Sequence, residues 1–169
     1  LLDEKALEWS STRHIPARGI PVLDALERGE VYGKRVVDLG AGTGLATQIL
    51  VNNFESVVAL DISKEMIKNS ITPETPQVCA DSNRLPFASN SIDVFLMMNM
   101  ILFPNEIERC LKAKGFLVWI SSRGPDTPIY LPPEEVIDLM SANSEVSWSG
   151  VSAHAHEGSW LVARRSITR

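Results

Sequence analysis

The residues most able to do chemistry in this sequence are an acid and a glycine-rich loop that follow a short apolar segment. Residues 36–44 read Val-Val-Asp-Leu-Gly-Ala-Gly-Thr-Gly, with Asp38 two positions before the first of three alternating glycines. Valine favours a β-strand, and glycine allows a tight turn that brings the backbone close to a ligand. A helical pattern follows, so we expect unpaired backbone N–H groups to face that ligand. The stretch predicts a nucleotide-like ligand.

The order of residues in the loop separates several ligand classes. A dinucleotide fingerprint requires glycine at position 45, which is Leu45, and the Gly-Lys-Ser/Thr of a P-loop does not occur in the chain. The carboxylate of Asp38 would repel a pyrophosphate and suits a ligand that is cationic nearby. S-adenosylmethionine has a sulfonium and an ammonium and no phosphate, so it fits this pattern. The alternative is a purely structural strand-to-helix turn in an α/β protein.

Length and composition indicate one ordinary globular domain. The 169 residues are 44% apolar and 22% charged, with a net charge of −5 that disfavours a nucleic-acid partner. The longest apolar run, residues 94–103, is too short for a membrane span, and Cys79 and Cys110 form neither a disulfide framework nor a metal spacing. We therefore expect a cytoplasmic protein without a metal. The chain begins with Leu1, which leaves open whether residues precede it.

Strand and helix patterns alternate along the middle of the chain. Strands are predicted at residues 36–39, 57–60, 77–80, 92–98 and 116–121. Helices are predicted at 43–53, from Ser63 onward, and at 106–112. Repeated β-α-β units with apolar strands predict a parallel sheet covered on both faces. Outside this middle, the sequence predicts helices at 3–9, 21–27 and 134–142, a proline-rich loop at 122–133, and strands at 146–153 and 159–165.

Two further acids follow predicted strands. Asp61 lies at the end of the second strand, 19 residues beyond Gly42, where a carboxylate can accept hydrogen bonds from two ribose hydroxyls. A helix cap is the alternative for Asp61, although Ser63 could take that role. Asp81 ends the third strand, where it can accept a hydrogen bond from an exocyclic amine such as adenine N6. The alternative for Asp81 is an Asx turn.

An amide interrupts the apolar fourth strand. A buried amide must be paired, so Asn99 is either a structural hydrogen-bonding group or part of the floor of a ligand crevice. The neighbouring methionines, at positions 97, 98 and 100, are interpreted as core residues.

Taken together, these segments resemble the class I S-adenosylmethionine-dependent methyltransferases, in particular the small-molecule branch that includes the ubiquinone and menaquinone biosynthesis methyltransferases. The similarity covers roughly residues 33–122 in five segments: 36–44, 60–63 with Met66, 80–81 with 85–87, 91–94, and 108–112. The family's Lys-Pro-Gly-Gly before strand five reads Lys-Ala-Lys-Gly at 112–115, and we expect Gly115 to preserve the turn. The resemblance implies an α/β fold, a doubly wound Rossmann-like seven-stranded sheet of order 3-2-1-4-5-7-6 with strand 7 antiparallel.

The resemblance also implies roles for individual residues toward S-adenosylmethionine. The methionyl part would be held by Asp38, Gly40, Ala41, Gly42 and Gly44. The ribose would be bound by Asp61, the adenine ring would be flanked by Ile62 and Met66, and its polar edge would be contacted by Asp81 and Ser82. With Asn99 in the crevice floor, these residues form the predicted cofactor site.

The predicted domain organisation is a single methyltransferase domain over residues 1–169. Residues 1–30 would form an N-terminal helical lid, 33–122 the cofactor-binding core, and 123–169 the acceptor loop, helix and final strand pair. The predicted activity is in-line methyl transfer to a small-molecule acceptor; a catalytically silent cofactor-binding module that acts with a partner protein is the alternative. Because the chain is short for the family, the acceptor pocket would be shallow, covered by the N-terminal helices, or completed by a second subunit in a homodimer.

The sequence assigns no catalytic residue. His154 and His156 are two positions apart and would project from one face of strand six, where one could act as a general base. Exposed hairpin histidines without a role are the alternative. His14 and Tyr130 are further candidates for the acceptor wall. A base is unnecessary if the acceptor ionises easily.

Overall fold

The computed structural model describes residues 16–166, so the helix predicted at residues 3–9 and the candidate His14 lie outside the described residues. The helices are α1 (Ile20–Arg28), α2 (Leu45–Val51), α3 (Lys64–Lys68), α4 (Pro104–Cys110) and α5 (Pro133–Ala142). The strands are β1 (Arg35–Leu39), β2 (Ser56–Asp61), β3 (Gln77–Cys79), β4 (Ile92–Met98), β5 (Leu111–Ser121), β6 (Trp148–Ala155) and β7 (Gly158–Arg165). Short 3₁₀ turns occupy Ala17–Gly19 and Gly124–Asp126.

The seven strands form one sheet of order β3-β2-β1-β4-β5-β7-β6, which confirms the order implied by the family resemblance. The first five strands run parallel, and β7 is antiparallel to both β5 and β6. β1 is central: Val36 pairs with Val57 of β2 on one side and with Val94 of β4 on the other. The order of the strands reverses between β1 and β4: β2 and β3 lie on one side of β1, and β4 and β5 lie on the other. The carboxyl ends of β1 and β4 therefore border a crevice suited to a ligand.

Alternate residues of the central strands pack into two separate apolar layers. Val36 and Val94 face one layer, which α1 and α2 cover, and Val37 and Phe95 face the other, which α4 and α5 cover. Both faces of the central strands are therefore buried, which explains why these strands are almost continuously apolar in sequence.

The segment between α4 and β5 differs from the prediction. The helix predicted at 106–112 ends at Cys110, and β5 begins at once with Leu111, which pairs with Ile92. The register then shifts, so that the next pair is Val94 with Phe116. The expected turn at 112–115 is thus an irregular part of a strand. A Cβ at Gly115 would overlap the Leu111 side chain, so the glycine serves close packing rather than a turn.

Asp93, at the start of β4, ties three strands together at their amino ends. Its Oδ2 accepts the backbone N–H groups of Lys34 (3.1 Å) and Arg35 (2.8 Å), and its Oδ1 lies 3.0 Å from Lys112 Nζ. Burial acts to raise the pKa of Asp93, but hydrogen bonds from Arg35, Lys112 and Lys34 outweigh it and hold the pKa below its usual value.

We expect Asp93→Ala to lower the free energy of unfolding by about 1–2 kcal/mol at pH 7, because it removes these hydrogen bonds. Since the folded-state pKa is depressed, this stabilisation is present above the unfolded value near 3.8 and is lost as the pH falls. Urea unfolding at pH 7 and pH 3.5 measures the difference between wild type and variant. The exposed Asp138 on α5 gives a matched control, Asp138→Ala. A difference that does not shrink at low pH would contradict the account.

Candidate functional site

The glycine loop has the backbone conformation that its glycines predict. Gly40, Gly42 and Gly44 have positive φ values of 74°, 57° and 99°, which only glycine adopts freely. A Cβ at Gly40 would overlap the side chain of Met100, whereas a Cβ at Gly42 would meet no atom within 4 Å. The loop is therefore packed on one side and open at Gly42, which borders free space at the carboxyl edge of the sheet.

Four of the five N–H groups of the loop, residues 40–44, are paired within the protein. Gly40 and Ala41 both donate to the Leu60 carbonyl oxygen, at 2.8 and 2.9 Å. Gly42 donates to Asp61 Oδ2 at 2.9 Å, and Gly44 donates to the carbonyl oxygen of Ala41 at 3.0 Å. The expectation that unpaired N–H groups face the ligand is wrong for these four residues, because the loop folds back onto the end of β2. These four N–H groups are therefore not free to bind a phosphate.

Asp38 is buried at the end of β1, with 1% of its surface exposed. Its Oδ2 accepts a hydrogen bond of 2.6 Å from the Thr47 hydroxyl in α2. Burial raises the pKa of Asp38 to about 6; hydrogen bonds from Thr47 act in the opposite direction, and the charge of Asp61 adds to the increase. The structure thus places a buried acid with a raised pKa next to the glycine loop.

Asp61 joins the glycine loop to the start of α3. Its Oδ2 accepts the N–H of Gly42 at 2.9 Å, and its Oδ1 accepts the N–H of Ser63 at 2.8 Å. Each carboxylate oxygen keeps lone-pair capacity for one more donor, so the half-buried group can still accept two hydroxyls. The helix cap belongs to Ser63, whose hydroxyl accepts the N–H of Met66, as predicted.

Large apolar side chains are exposed around this acid and along the carboxyl edge. Ile62 is 68% exposed and Met66 is 45% exposed, directly after β2 and in α3. Ile71 lies against the loop, since its N–H donates to the Thr43 carbonyl oxygen at 2.9 Å, and it too is exposed. Exposed apolar side chains grouped beside hydrogen-bonding groups are typical of a small-molecule site.

The third predicted acid forms a local turn. Asp81 is exposed, and its Oδ1 accepts the N–H of Asn83 at 2.8 Å, which is the Asx turn weighed as the alternative. Its second carboxylate oxygen has no partner among residues 16–166 and stays available to a ligand. Ser82 beside it is 7% exposed.

A charged clamp from α4 holds the loop that follows Asp81. Arg109 donates to the carbonyl oxygens of Phe87 (2.8 Å) and Leu85 (3.1 Å), and Glu106 accepts the Leu85 N–H at 2.8 Å. The two charged residues pair with each other at 2.8 Å, and the hydrogen bond from Arg109 holds the pKa of Glu106 below its usual value. Two of the segments quoted in the family resemblance, 80–81 with 85–87 and 108–112, therefore support one another.

We expect Arg109→Ala to loosen residues 81–87 and to weaken binding at the adjacent crevice several-fold, because two loop carbonyls lose a charge-assisted donor. Amide hydrogen exchange of residues 81–87 measures the loosening, and titration with S-adenosylmethionine, the ligand predicted from the sequence, measures the affinity. Arg35→Ala, an exposed arginine at the start of β1 and outside this clamp, is the matched control. Unchanged exchange in 81–87 would show that the clamp does not order the loop.

Asn99 is a structural hydrogen-bonding group at the carboxyl ends of β4 and β5. Its Nδ2 donates to Ser122 Oγ at 2.8 Å, and its Oδ1 accepts the Ser122 N–H at 2.9 Å. Asn99 has a positive φ of 54°, which asparagine tolerates better than most residues. The next residue, Met100, is half-buried and packs against Gly40. Sequence reasoning assigned Met100 to the core and so missed its contact with the loop, for which an isolated methionine gives no signal.

The candidate bases are placed unequally. His156 lies in the β6–β7 turn with φ 54°, so the expectation that His154 and His156 project from one strand face is wrong. β6 is four strands from β1, a lateral distance of about 19 Å at the usual strand spacing. Tyr130, half-buried in the loop after β5, is nearer, since β5 is two strands from β1. The arrangement assigns no general base.

Among residues 16–166, no group of three His, Cys, Asp or Glu side chains is placed to hold a metal ion. No helix in the described part of the chain is long and apolar enough to cross a membrane.

The chain is similar to known methyltransferases. Residues 37–119 match the family model described as a methyltransferase domain. A demethylmenaquinone methyltransferase of Corynebacterium urealyticum is 41% identical over 103 residues, 57% of this chain and 45% of that protein. The biotin biosynthesis bifunctional protein BioHC of Cellvibrio japonicus is 33% identical over 127 residues, 68% of this chain and 24% of that protein. The chain thus spans less than half the length of these relatives.

Solved structures share the fold over nearly the whole chain. The chain solved in complex with the Haloferax volcanii Trm112 methyltransferase activator has a TM-score of 0.73 and 17% identity, covering 98% of each chain. An S-adenosylmethionine-dependent methyltransferase from Aquifex aeolicus has a TM-score of 0.67 and 19% identity, covering 95% of this chain and 97% of that one. At these identities the likeness concerns the fold alone.

Proposed function

Because the chain belongs, by its matched domain and its seven-stranded sheet, to the class I S-adenosylmethionine-dependent methyltransferases, we propose that it transfers a methyl group from S-adenosylmethionine to a small-molecule acceptor. The observation that carries this proposal is the hydrogen bonding of the glycine loop. Its N–H groups at Gly40, Ala41, Gly42 and Gly44 are internally paired, while Asp61 keeps free acceptor capacity. This combination suits a ribose without an attached phosphate.

In this proposal, Asp61 accepts the two ribose hydroxyls beyond the loop. The exposed Ile62 and Met66 cover the adenine ring, and the free oxygen of Asp81 with Ser82 meets its amino group. The open side of Gly42 admits the methionyl part, to which the ionised form of Asp38 adds a favourable charge. Asn99 contributes to the floor of the crevice indirectly: its hydrogen bond to Ser122 fixes the chain so that the next residue, Met100, packs against the loop.

S-adenosylmethionine supplies an activated methyl group, which an acceptor nucleophile attacks in line as the carbon–sulfur bond breaks. The contribution of the protein is to align the two reactants, and orientation of this kind can supply roughly 7–11 kcal/mol. The acceptor would enter from the ends of β4 and β5, where Ile101 and Ile129 are exposed and Tyr130 is half-buried.

We further infer that residues 1–30 act as a lid, residues 33–122 hold the cofactor, and residues 123–169 shape the acceptor side. What supports the lid is the placement of α1, whose Pro21 packs against Gly158 of the β6–β7 hairpin at the carboxyl edge. The turn just before α1, Ala17–Gly19, contacts α2, the helix that follows the glycine loop. A second subunit in a homodimer is the other way to complete the acceptor pocket, and a cytoplasmic location fits the proposed small-molecule chemistry.

The test is a titration of the protein with S-adenosylmethionine and with NAD, followed by incubation with labelled S-adenosylmethionine and fractionated metabolite pools. We expect saturable binding of S-adenosylmethionine, none of NAD, and formation of S-adenosylhomocysteine in at least one pool. Failure to bind S-adenosylmethionine would overturn the proposal. Tight binding without turnover in any pool would instead favour the alternative, a silent cofactor-binding module that acts with a partner protein.

A further inference from the structure

A cavity lies at the amino ends of the parallel strands, at the edge of the sheet opposite the glycine loop. It has a volume of about 380 Å³, and its walls include Arg28, Tyr32, Phe116, Val151, Val162 and Arg164. Tyr32 precedes β1, Phe116 lies in the first half of β5, and Arg164 lies near the end of the antiparallel β7, so the cavity faces the amino ends of the parallel strands. Its volume is within the range of small-molecule sites.

One wall of this amino-edge cavity is aromatic and exposed. Tyr32 is 62% exposed, and its ring meets Phe116 edge-on, with centroids 5.0 Å apart at an interplanar angle of 77°. Phe116 itself is buried, so the free aromatic face belongs to Tyr32. Val151 on β6 adds an apolar surface that is 56% exposed. A flat apolar ring would cover both surfaces.

The other wall carries a guanidinium with unmet hydrogen-bonding capacity. The Arg164 guanidinium carbon lies 4.4 Å from the centre of the Phe116 ring, and one of its Nη atoms donates to the Lys114 carbonyl oxygen at 2.8 Å. Its Nε is the one buried side-chain nitrogen or oxygen without a partner among residues 16–166. No carboxylate within this part of the chain pairs with Arg164. A buried unpaired donor is costly, and the residue that carries it is one of those that line the cavity.

The charges around the cavity are mainly positive, although the chain as a whole carries −5. Arg28 is paired with Asp24 at 3.0 Å and lies over Trp160. Lys34 and Lys114 are exposed at the same edge and form no ion pair within residues 16–166. Arg35, at the start of β1, is also exposed and also forms no ion pair within these residues. Glu30 is the acid of the lining, and it is exposed to solvent.

We propose that the amino-edge cavity binds a small aromatic carboxylate, with its ring on Tyr32 and Val151 and its carboxylate on the guanidinium of Arg164. The aromatic wall selects a planar ring, and a guanidinium matches a carboxylate with two parallel hydrogen bonds. The cavity lies at the amino ends of the parallel strands, whereas the crevice proposed for S-adenosylmethionine lies at their carboxyl ends. The two sites are therefore separated by the length of the strands.

The test uses 2-naphthoate as the probe and the neutral 2-naphthylmethanol as its matched control, each titrated into the whole chain and followed by amide chemical shifts. We expect saturable binding of 2-naphthoate with shifts centred on Gly29, Tyr32, Val151 and Val162. We expect the alcohol to bind about tenfold more weakly, because it loses the charge-assisted hydrogen bonds. Saturating S-adenosylhomocysteine should leave the affinity for 2-naphthoate unchanged.

Variants locate the two walls. Arg164→Lys keeps the charge but loses the planar pair of donors, and Tyr32→Ala removes an exposed ring with little risk to folding; each should weaken 2-naphthoate binding about tenfold. Arg18→Ala, an exposed arginine outside the cavity, should leave it unchanged. The proposal is overturned if 2-naphthoate does not saturate, if S-adenosylhomocysteine displaces it, if the alcohol binds equally well, or if neither variant weakens it.

Discussion

Asp61→Ala is expected to weaken the binding of S-adenosylmethionine about 100-fold or more. The variant removes the proposed acceptor of two ribose hydroxyls, and hydrogen bonds to a charged group are worth about 1.5–3 kcal/mol each. It also removes the acceptor of the Gly42 N–H at 2.9 Å, so the loop itself is less well fixed. Calorimetric titration measures the affinity, and circular dichroism checks that the variant is folded.

The matched control for this experiment is Ser63→Ala, two residues along the chain. It removes the helix cap that accepts the Met66 N–H but leaves the carboxylate of Asp61 in place. We expect a loss of about 0.5–2 kcal/mol in the free energy of unfolding and an affinity close to that of the wild type. If Ser63→Ala weakened binding as strongly as Asp61→Ala, local order at the start of α3, rather than ribose recognition, would explain the effect.

Asp38→Asn is expected to make the protein more stable and its binding weaker. Because burial raises the pKa of Asp38 to about 6 from an unfolded value near 3.8, the folded state holds its proton more tightly. The associated stabilisation is complete below pH 3.8 and is lost as the pH rises through 6. At pH 8 the ionised carboxylate therefore costs the fold about 3 kcal/mol, given about 1.4 kcal/mol for each pKa unit.

An amide at position 38 keeps an acceptor for the Thr47 hydroxyl and removes this cost. We expect the variant to gain up to about 2–3 kcal/mol in the free energy of unfolding at pH 8, and much less at pH 4.5. Its affinity for the cationic S-adenosylmethionine should fall about tenfold, since a nearby opposite charge is lost. Urea unfolding at the two pH values and calorimetric titration measure both effects.

Two results would contradict this account of Asp38. If the stability difference between the variant and wild type were the same at both pH values, ionisation of Asp38 would carry no cost to the fold. A variant that binds S-adenosylmethionine as well as wild type would show that the acid is structural. Thr47→Val separates the roles further: it removes the 2.6 Å hydrogen bond that favours the charged form, so it should steepen the loss of stability above pH 6.

Much of the fold and part of the site could be predicted because the signals are local. Apolar runs such as residues 92–98 mark strands buried on both faces, and Ser63 caps α3 as its position before the helix suggests. The sheet order came with the family resemblance rather than from periodicity. The start of β5 at Leu111 was missed because the strand follows the helix directly, so no turn-forming residues mark the boundary in the sequence.

The features that could not be predicted depend on contacts between distant parts of the chain. The pairing of Gly40 and Ala41 with Leu60 requires the end of β2 to lie beside the loop. The contact of Met100 with Gly40 depends on the bend at Asn99. The distance of His154 from the crevice follows from strand order, which residue spacing within one hairpin does not reveal.

The closed hydrogen bonding of the glycine loop has a consequence for selectivity inside a crowded cell. Nucleoside phosphates share adenine and ribose with S-adenosylmethionine, so Asp61 and Ile62 alone would treat them alike. Their phosphates, however, would have to give up water for a loop whose N–H groups at Gly40, Ala41, Gly42 and Gly44 are already engaged. We therefore expect the loop to discriminate by withholding these four donors, and phosphorylated metabolites to compete poorly for the crevice.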